Sequence, residues 1–403
     1  MPTYTVLFCH SLRNCSTGFT ARVLRANYFY MAVITNSLIP SLTANSIQAM
    51  KVCDALTELG HELRVFAPAG EKFAVWDKLA THYGLSHEFR MEWLPSFRPL
   101  KRLDFIWYAQ SAARKFKANL IYTWLPQSAA LGLWSGYPVI LEMHADVTGR
   151  FGPWWLRQFW ISRGHKRMLV TTRALATTLE KSTRLIFPDD TVQVAPNGAN
   201  LDRYANLPSP VEARRQLNLK AGLTVGFTGH FYAGRGMDLL FELARALPGA
   251  NFLWAGGTPD AVEEWRAKLN AARASNVTLT GFIENSRLPL YQAAADILLM
   301  PYGRTISASS GQNIAEVINP MKMFDYMAAG RAIVTADLPV IREVLDESCA
   351  VFCEPGNVDA WTAAIKKLLA DENQRAVLSM NARKTIKKYT WHARAQRAVE
   401  NFS

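Results

Sequence analysis

The sequence predicts two doubly wound α/β domains, each a parallel sheet clothed in helices, facing one another across a central cleft. Three observations carry this. Apolar runs of strand length alternate with helical stretches, the pattern of parallel strands joined by crossover helices. The alternation stops near residue 205 and then restarts. The chain of 403 residues is also longer than one ordinary core of roughly 150 residues organises.

Taken in order, the first thirty residues show no sustained period of two or of 3.6, and Asn14, Ser16, Gly18, Arg22 and Arg25 interrupt their apolar runs. They lack the continuous apolar core and cleavage site of a secretory signal. Residues 1–30 are therefore expected to be an extension outside the fold, translated from upstream of a start at Met31. From Met31, MAVITNSLIP reads as a buried strand, and NSIQAMKVCDALTELG as a helix stopped by Gly60. HELRVFAP, ANLIYTW, YPVILEMHAD, RMLVTT and TVQVAPNG follow as strands, with PQSAALGLWSG and RALATTLEKS as helices among them. After a join near Asn200 to Pro210 come LTVGFTG, GANFLWAGG, NVTLTG, ADILLMPY, RAIVTAD and CAVFCEPG, with helices such as GMDLLFELARAL between. The expected division is 31–205 for the first domain and 206–385 for the second, with a helix over 386–403 packing back toward the first. Ligands of such sheets sit at the carboxyl ends of the strands, where strand order reverses, so the site is expected in the interdomain cleft.

Composition narrows the chemistry. Cys9, Cys15, Cys53, Cys349 and Cys353 are odd in number and contain no CxxC pair, which speaks against a disulfide framework or zinc site and for a reducing, cytoplasmic compartment. No segment approaches the ~18 apolar residues that span a bilayer. The formal charge of +12 points to a phosphate-bearing partner, either nucleic acid, an anionic membrane surface or a phosphorylated ligand.

The segment NPMKMFDYMAAGRAIVTAD, Asn319 to Asp337, is the most informative. With Asn319 as N-cap, Pro320 as first helical residue and Gly330 as stop, Met321, Met323, Phe324, Met327 and Ala328 fall on one face, and Lys322, Asp325, Tyr326 and Ala329 on the other. Taken alone, Lys322 and Asp325 read as a solvated i,i+3 pair, worth roughly a few tenths of a kcal/mol. With the helix N-terminus they also describe a nucleoside diphosphate site, the first-turn N–H groups and Lys322 holding phosphate and Asp325 accepting from a ribose diol. The preceding loop RTISASSGQNIAEVI is rich in small donors. FTGHFYAGRGMDLL places Gly229, Gly234 and Gly236 around His230 and Arg235 between a strand and a helix. It lacks the GxGxxG spacing, so NAD is not expected.

These residues resemble the retaining glycosyltransferases of the large family four, which have the two-domain GT-B fold. The resemblance runs from Met31 to the C-terminus through PSLTANSIQAMKVCDALTELGHELRVF, ILEMHAD, VAPNGANLDRY, GHFYAGRGMDLL and PMKMFDYMAAGRAIVTAD followed by PVIREVL. It implies that Arg235 and Lys322 bind the donor diphosphate, that His144 lines the sugar pocket, and that these three are the catalytic group. It further implies that Gly229, His230, Gly236, Asp325, Glu316 and Met321 contact the donor nucleotide sugar, with Asp325 standing for the ribose glutamate. Departures are His230 for a common arginine, Arg235 for a usual lysine, Val317 for a sugar-contacting glutamate, and Ser41 to Ser46 for a glycine pair. The implied reaction transfers a hexosyl group from a nucleotide-diphosphate sugar to a carbohydrate or lipid-linked acceptor with retention, in envelope polysaccharide or glycolipid synthesis. No cofactor or metal is expected, since Asp189 and Asp190 are adjacent rather than spaced as Asp-x-Asp. The alternatives are an epimerase on the same fold and a protein that binds a nucleotide sugar without transferring it.

Two segments, RMEWLPSFRPLKRLDFIWYAQ and GRFGPWWLRQFWISRGHKR, combine arginine with aromatics. In the second, Trp154, Trp155, Phe159 and Trp160 lie among Arg150, Arg157, Arg163, Lys166 and Arg167. They read either as an interfacial helix on an anionic membrane or as aromatics packed on the sheet under solvated charges. The expectation is a cytoplasmic protein, peripheral on the inner membrane face, with no nucleic-acid partner.

Overall fold

A computed structural model of the protein describes residues 28–70, 75–97, 100, 102–188, 191–307 and 313–402. The bulk of the expected N-terminal extension, residues 1–27, lies outside these, as do Asp189, Asp190 and part of the serine-rich loop at 308–312. Phe29 is already buried and Tyr30 opens the first strand, so the chain enters the fold slightly before Met31.

The first sheet comprises β1 (Tyr30–Ile34), β2 (Glu62–Pro68), β3 (Arg90–Leu94), β4 (Leu120–Thr123), β5 (Val139–Met143), β6 (Lys166–Val170) and β7 (Val192–Val194). All neighbours are parallel, in the order β3-β2-β1-β4-β5-β6-β7. The central strands β4 and β5 are buried at every position, which is why they read as mainly apolar runs, with Glu142 the one charge inside β5. Only β3 escaped the sequence reading. It is an edge strand, half-buried after its exposed first residue, and its RMEWL carries no apolar run. The crossovers are α1 (Ala44–Glu58), α2 (Trp76–Tyr83), α3 (Leu103–Lys115), α4 (Pro126–Trp134), α5 (Gly152–Ile161) and α6 (Arg173–Thr183).

A 3-10 turn at Leu201–Tyr204 leads to α7 (Pro210–Gln216), which starts on Ser209 as N-cap. The second sheet holds β8 (Thr224–Thr228), β9 (Asn251–Ala255), β10 (Val277–Gly281), β11 (Ile297–Met300), β12 (Ala332–Ala336) and β13 (Val351–Cys353), all parallel in the order β10-β9-β8-β11-β12-β13. Its helices are α8 (Met237–Ala246), α9 (Pro259–Ala271), α10 (Leu288–Ala293), α11 (Met321–Ala329), α12 (Val358–Ala370) and α13 (Glu372–Thr385). Both sheets thus reverse strand order beside their first strand, and each has its switch point there.

The last helix, α14 (Trp391–Val399), crosses back and packs on α1, with Trp391, Ala395, Ala398 and Phe402 joining the core beneath the first sheet. Arg394 fastens this return. It is 1% exposed, and its guanidinium donates to Glu142 on β5 at 2.5 and 3.3 Å and to the carbonyls of Ala195 and Pro196. Glu142 also accepts from Gln48 at 2.5 Å, from His144 Nε2 at 2.5 Å and from the Tyr122 hydroxyl. Burial alone would raise the Glu142 carboxyl, but Arg394, then His144 and Tyr122, bring it down to about 2.

Arg394→Met should strand this carboxylate and destabilise the protein by about 3–5 kcal/mol, whereas Arg394→Met with Glu142→Gln should recover much of the loss. Urea midpoints at neutral pH measure both. The sign with pH follows from a folded value below the ordinary ~4.3 of glutamate. The contribution of Glu142 is fully present above that ordinary value and is lost as pH falls toward about 2, so the midpoint of Glu142→Gln should fall less across this range than that of the parent.

Candidate active site

The carboxyl ends of both sheets open onto one cleft of about 260 Å³. His144 and Thr171 reach it just after β5 and β6, Thr228 and Gly229 after β8, Gly256 and Gly257 after β9, and Tyr302 after β11. The first domain adds Asn45, Gln48 and Lys51 from α1 and His82 from α2; Pro320, Met321, Lys322 and Asp325 come from α11 and its cap.

Helix α11 has the expected stop, Gly330 in the left-handed region at φ 60°, but its N-cap is Pro320, not Asn319. The Asn319 side chain is engaged elsewhere, its Oδ1 accepting from the Asn197 backbone N–H at 2.7 Å, so it does not cap the helix. The expected polar face is also narrower. Tyr326 and Ala329 are buried, and the Tyr326 hydroxyl accepts from the Thr228 N–H at 2.8 Å. What remains toward the cleft is Met321, Lys322 and Asp325, each half-buried.

Lys322 and Asp325 are not an ion pair with each other or with any other described residue. Lys322 Nζ lies 3.9 Å from the centroid of Phe227 and 5.6 Å from that of Tyr302. Arg235 stands beside it, its guanidinium 5.5 Å from the Tyr302 ring and its Nε without a partner among the described residues. Burial, then the charge of Arg235, holds the Lys322 ammonium well below the usual lysine range. Two cations thus share a partly dehydrated site with no carboxylate between them, an arrangement that favours an incoming anion. A Cβ on Gly229, whose φ is 140°, would come within 2.8 Å of Lys322 Nζ, so glycine is what lets the ammonium reach the strand end. Gly236 caps α8 at φ 85°, where a Cβ would meet the Pro301 carbonyl at 1.9 Å. It shapes the loop without lining the cleft.

Asp325 sits beyond Lys322, beside Arg203, Lys51 and the Tyr204 hydroxyl. Burial raises its carboxyl, against the pull of Arg203, then Lys51 and Tyr204. Burial, with help from Arg203, lowers Lys51 to about 7, and its ammonium donates to the Gly84 carbonyl at 2.6 Å. His230 bridges the domains through Nε2 to the Leu42 carbonyl at 2.8 Å and stacks on Tyr232. Burial lowers its proton affinity, the Leu42 contact opposes this, and Lys322 and Arg235 reinforce it. Starting from an ordinary value of about 6.5, His230 is neutral at pH 7. His144 is oriented by its hydrogen bond to Glu142. Glu316 is exposed and outside the cleft lining, and Val317 is buried against the first domain's core. The structure therefore gathers His144, Arg235, Lys322, Gly229, His230, Asp325 and Met321 at the cleft, and leaves Glu316 and Gly236 outside its lining.

Sequence reasoning missed Lys51, Arg203, Asn197, Tyr302 and the Glu142–Arg394 pair. A lysine inside the apolar pattern NSIQAMKVCDAL was the available signal for Lys51, whereas nothing local marks an ion pair 252 residues apart in the chain. No group of three or more His, Cys, Asp or Glu that could hold a metal occurs among the described residues.

Comparison with known proteins gives the family and the fold. The sequence model described as Glycosyltransferase Family 4 matches residues 46–203, and that described as Glycosyl transferases group 1 matches residues 222–371. The D-inositol 3-phosphate glycosyltransferase of Xylanimonas cellulosilytica is 28% identical over 257 residues, 60% of this chain and 59% of that protein. The GDP-mannose-dependent alpha-(1-6)-phosphatidylinositol monomannoside mannosyltransferase of Mycolicibacterium smegmatis is 26% identical over 258 residues, 60% of this chain and 65% of its own. The chain thus spans less than two thirds of the length of these relatives. The crystal structure of Anabaena HepE in complex with UDP superposes with a TM-score of 0.70 over 92% of this chain and 98% of that one, at 16% identity. Each sheet carries one of the two family matches and the pair of sheets superposes as a unit, so the chain belongs to the family-four glycosyltransferases, glycosyl transferases group 1, on the GT-B fold.

Proposed function

We propose that the protein transfers a sugar from a nucleotide-diphosphate donor to a saccharide or lipid-linked acceptor, with retention of configuration. The observation that carries this is the pair Lys322 and Arg235, two neighbouring cations without an anionic partner among the described residues. A donor diphosphate supplies that partner. When the bond from anomeric carbon to phosphate oxygen breaks, negative charge grows on the diphosphate and positive charge on the sugar ring. Cations fixed at the phosphate stabilise that charge separation more than the ground state. The departing phosphate oxygen takes the acceptor's proton on the face it leaves, which gives retention. Asp325 accepts from the ribose hydroxyls, and His144, held by Glu142, faces the sugar. The family relative that by its name depends on GDP-mannose, and the neighbour in complex with UDP, support a nucleoside diphosphate in this place.

The acceptor side bears on the membrane. No described helix is long and apolar enough to cross a bilayer. Helices α3, α4 and α5 pack side by side and leave Trp107 67%, Trp134 53% and Trp154 45% exposed. Arg114, Lys115, Arg150, Arg157 and Arg163 are exposed on or beside the same helices. Phe159, in contrast, is buried, Lys166 donates to the Ser162 carbonyl past the end of α5, and Arg167 donates to the Ala398 and Glu400 carbonyls at the end of α14. The second basic aromatic segment therefore divides between internal packing and a surface of tryptophan ringed by arginine, the composition of a face that docks on anionic lipid. A lipid-linked acceptor fits such docking.

Four measurements test this reading. One of UDP, GDP or ADP should raise the melting temperature of the purified protein, and Lys322→Ala should abolish the shift. Protonated Lys322 is the form that binds phosphate, and burial beside Arg235 disfavours that form, so calorimetry in buffers of different ionisation enthalpy should show proton uptake, with affinity falling as pH rises. No shift with any of the three would refute the donor site. His144→Ala should remain folded by circular dichroism and lose transfer by about tenfold or more; unchanged turnover removes it from the site. In sedimentation with liposomes, the protein should prefer anionic over neutral vesicles, and Trp107→Ser with Trp154→Ser should weaken binding. Absence of a charge preference ends the membrane reading.

A further inference from the structure

Asn197 lies in the loop after β7 and Asn319 immediately before α11, so the pair joins the two domains. Its hydrogen bonds are reciprocal: the Asn197 N–H donates to Asn319 Oδ1 at 2.7 Å, and Asn197 Nδ2 donates to the Asn319 carbonyl at 2.6 Å. These contacts fix which end of each amide is which. A backbone N–H faces only an oxygen, and a backbone carbonyl accepts only from a nitrogen, so neither side chain can be flipped. Each amide therefore has one atom left over, an acceptor on Asn197 and a donor on Asn319. The residues are 5% and 9% exposed, both line the cleft, and neither leftover atom has a partner among the described residues. Buried polar atoms are rarely left in this state unless something arrives to meet them.

A free acceptor on one residue of the pair and a free donor on the other select the chemistry of the visitor. A phosphate would satisfy Asn319 Nδ2 and be repelled by Asn197 Oδ1, and an ammonium would do the reverse. A hydroxyl both gives and takes a hydrogen bond, so one hydroxyl or a vicinal pair satisfies both atoms. Position along α11 says which hydroxyl. Asp325 lies nearly a turn beyond Lys322 and Asn319 lies before the helix, so a donor whose diphosphate rests at Lys322 carries its ribose toward one and its sugar toward the other. Resting on the donor site proposed above, we infer that Asn197 Oδ1 and Asn319 Nδ2 are the subsite that reads a hydroxyl of the transferred sugar and so restrict which nucleotide sugar is accepted.

Asn319→Asp tests this with least disturbance, because it keeps the oxygen that meets the Asn197 N–H and changes only the free donor. Calorimetry on the full chain would compare the nucleoside diphosphate that the parent binds, its sugar conjugate, and monodeoxy analogues of that sugar. A new negative charge acts on both diphosphates alike, whereas loss of the hydroxyl contact affects only the conjugate. The substitution should therefore weaken the nucleotide sugar about tenfold or more relative to the nucleoside diphosphate, and one monodeoxy analogue should bind the parent about tenfold more weakly but the variant nearly as well as the intact sugar. Equal losses for both ligands, or a deoxy penalty that persists undiminished in the variant, overturn the inference while leaving the donor site intact. Should Asn319→Asp fail to fold, the parent still decides against it if every monodeoxy analogue binds as tightly as the intact sugar. A parent that binds no nucleoside diphosphate overturns the donor site and this subsite together.

Discussion

A carboxylate stays ionised beneath a packed sheet only when donors surround it, and Glu142 is surrounded by five contacts from Arg394, His144, Tyr122 and Gln48. The consequences reach beyond one ion pair. Arg394 belongs to a helix that follows the whole second domain, so the charge in β5 is neutralised only when the chain has returned across the molecule. Gln48 and His144 meanwhile face the cleft. One buried charge thus ties the closing of the fold to the orientation of two polar groups at the site. Such pairs are weak evidence for stability, because desolvation offsets most of the attraction, but breaking one is severe. Its value here is the unique seating of α14 and of the His144 ring.

The cleft uses the opposite arrangement. Arg394 is given a carboxylate and Lys322 is not, although each lies in a region where charge is disfavoured. On the proposed function, that difference separates a structural cation from a binding one. Folding holds Lys322 against Phe227 and Tyr302, whose ring faces relieve part of its desolvation without neutralising it. Arg235 beside it makes the shortage of negative charge greater. The cost of crowding these cations together is local and is borne by the remainder of two large cores, the usual way a fold maintains a locally unfavourable site.

Much of this was legible in the sequence. Strands of a covered parallel sheet are rich in apolar residues, so twelve of the thirteen among the described residues announced themselves, and β3 did not because the charges in RMEWL break any apolar run. The cleft-facing charges of α11 were legible because a lysine and an aspartate interrupt an apolar helix at one-turn spacing. Its N-cap was misread since Asn319 has a stronger claim on it from Asn197, 122 residues away. The run HKR shows the limit most clearly. Lys166 and Arg167 looked like surface charge, and both instead satisfy carbonyls at the ends of helices, Arg167 those of a helix more than 200 positions later. Charge patterns show that a cation is present; only the fold shows which acceptor it meets.

The segment from Val317 to Lys322 links these themes. Val317 packs into one core of the first domain and Met321 against another, while Asn319 exchanges hydrogen bonds with Asn197. The same six residues carry the free amide of Asn319 and the ammonium of Lys322. A donor seated there touches a segment that is at once part of the second domain and docked on the first. Elsewhere the domains also meet through polar contacts, such as His230 to Leu42 and the Glu343 carboxylate accepting from the first N–H groups of α6. Polar interfaces of this sort rearrange more readily than apolar cores. Ligand binding at α11 and the relative seating of the two domains therefore draw on one set of contacts, and whatever stabilises the first also biases the second.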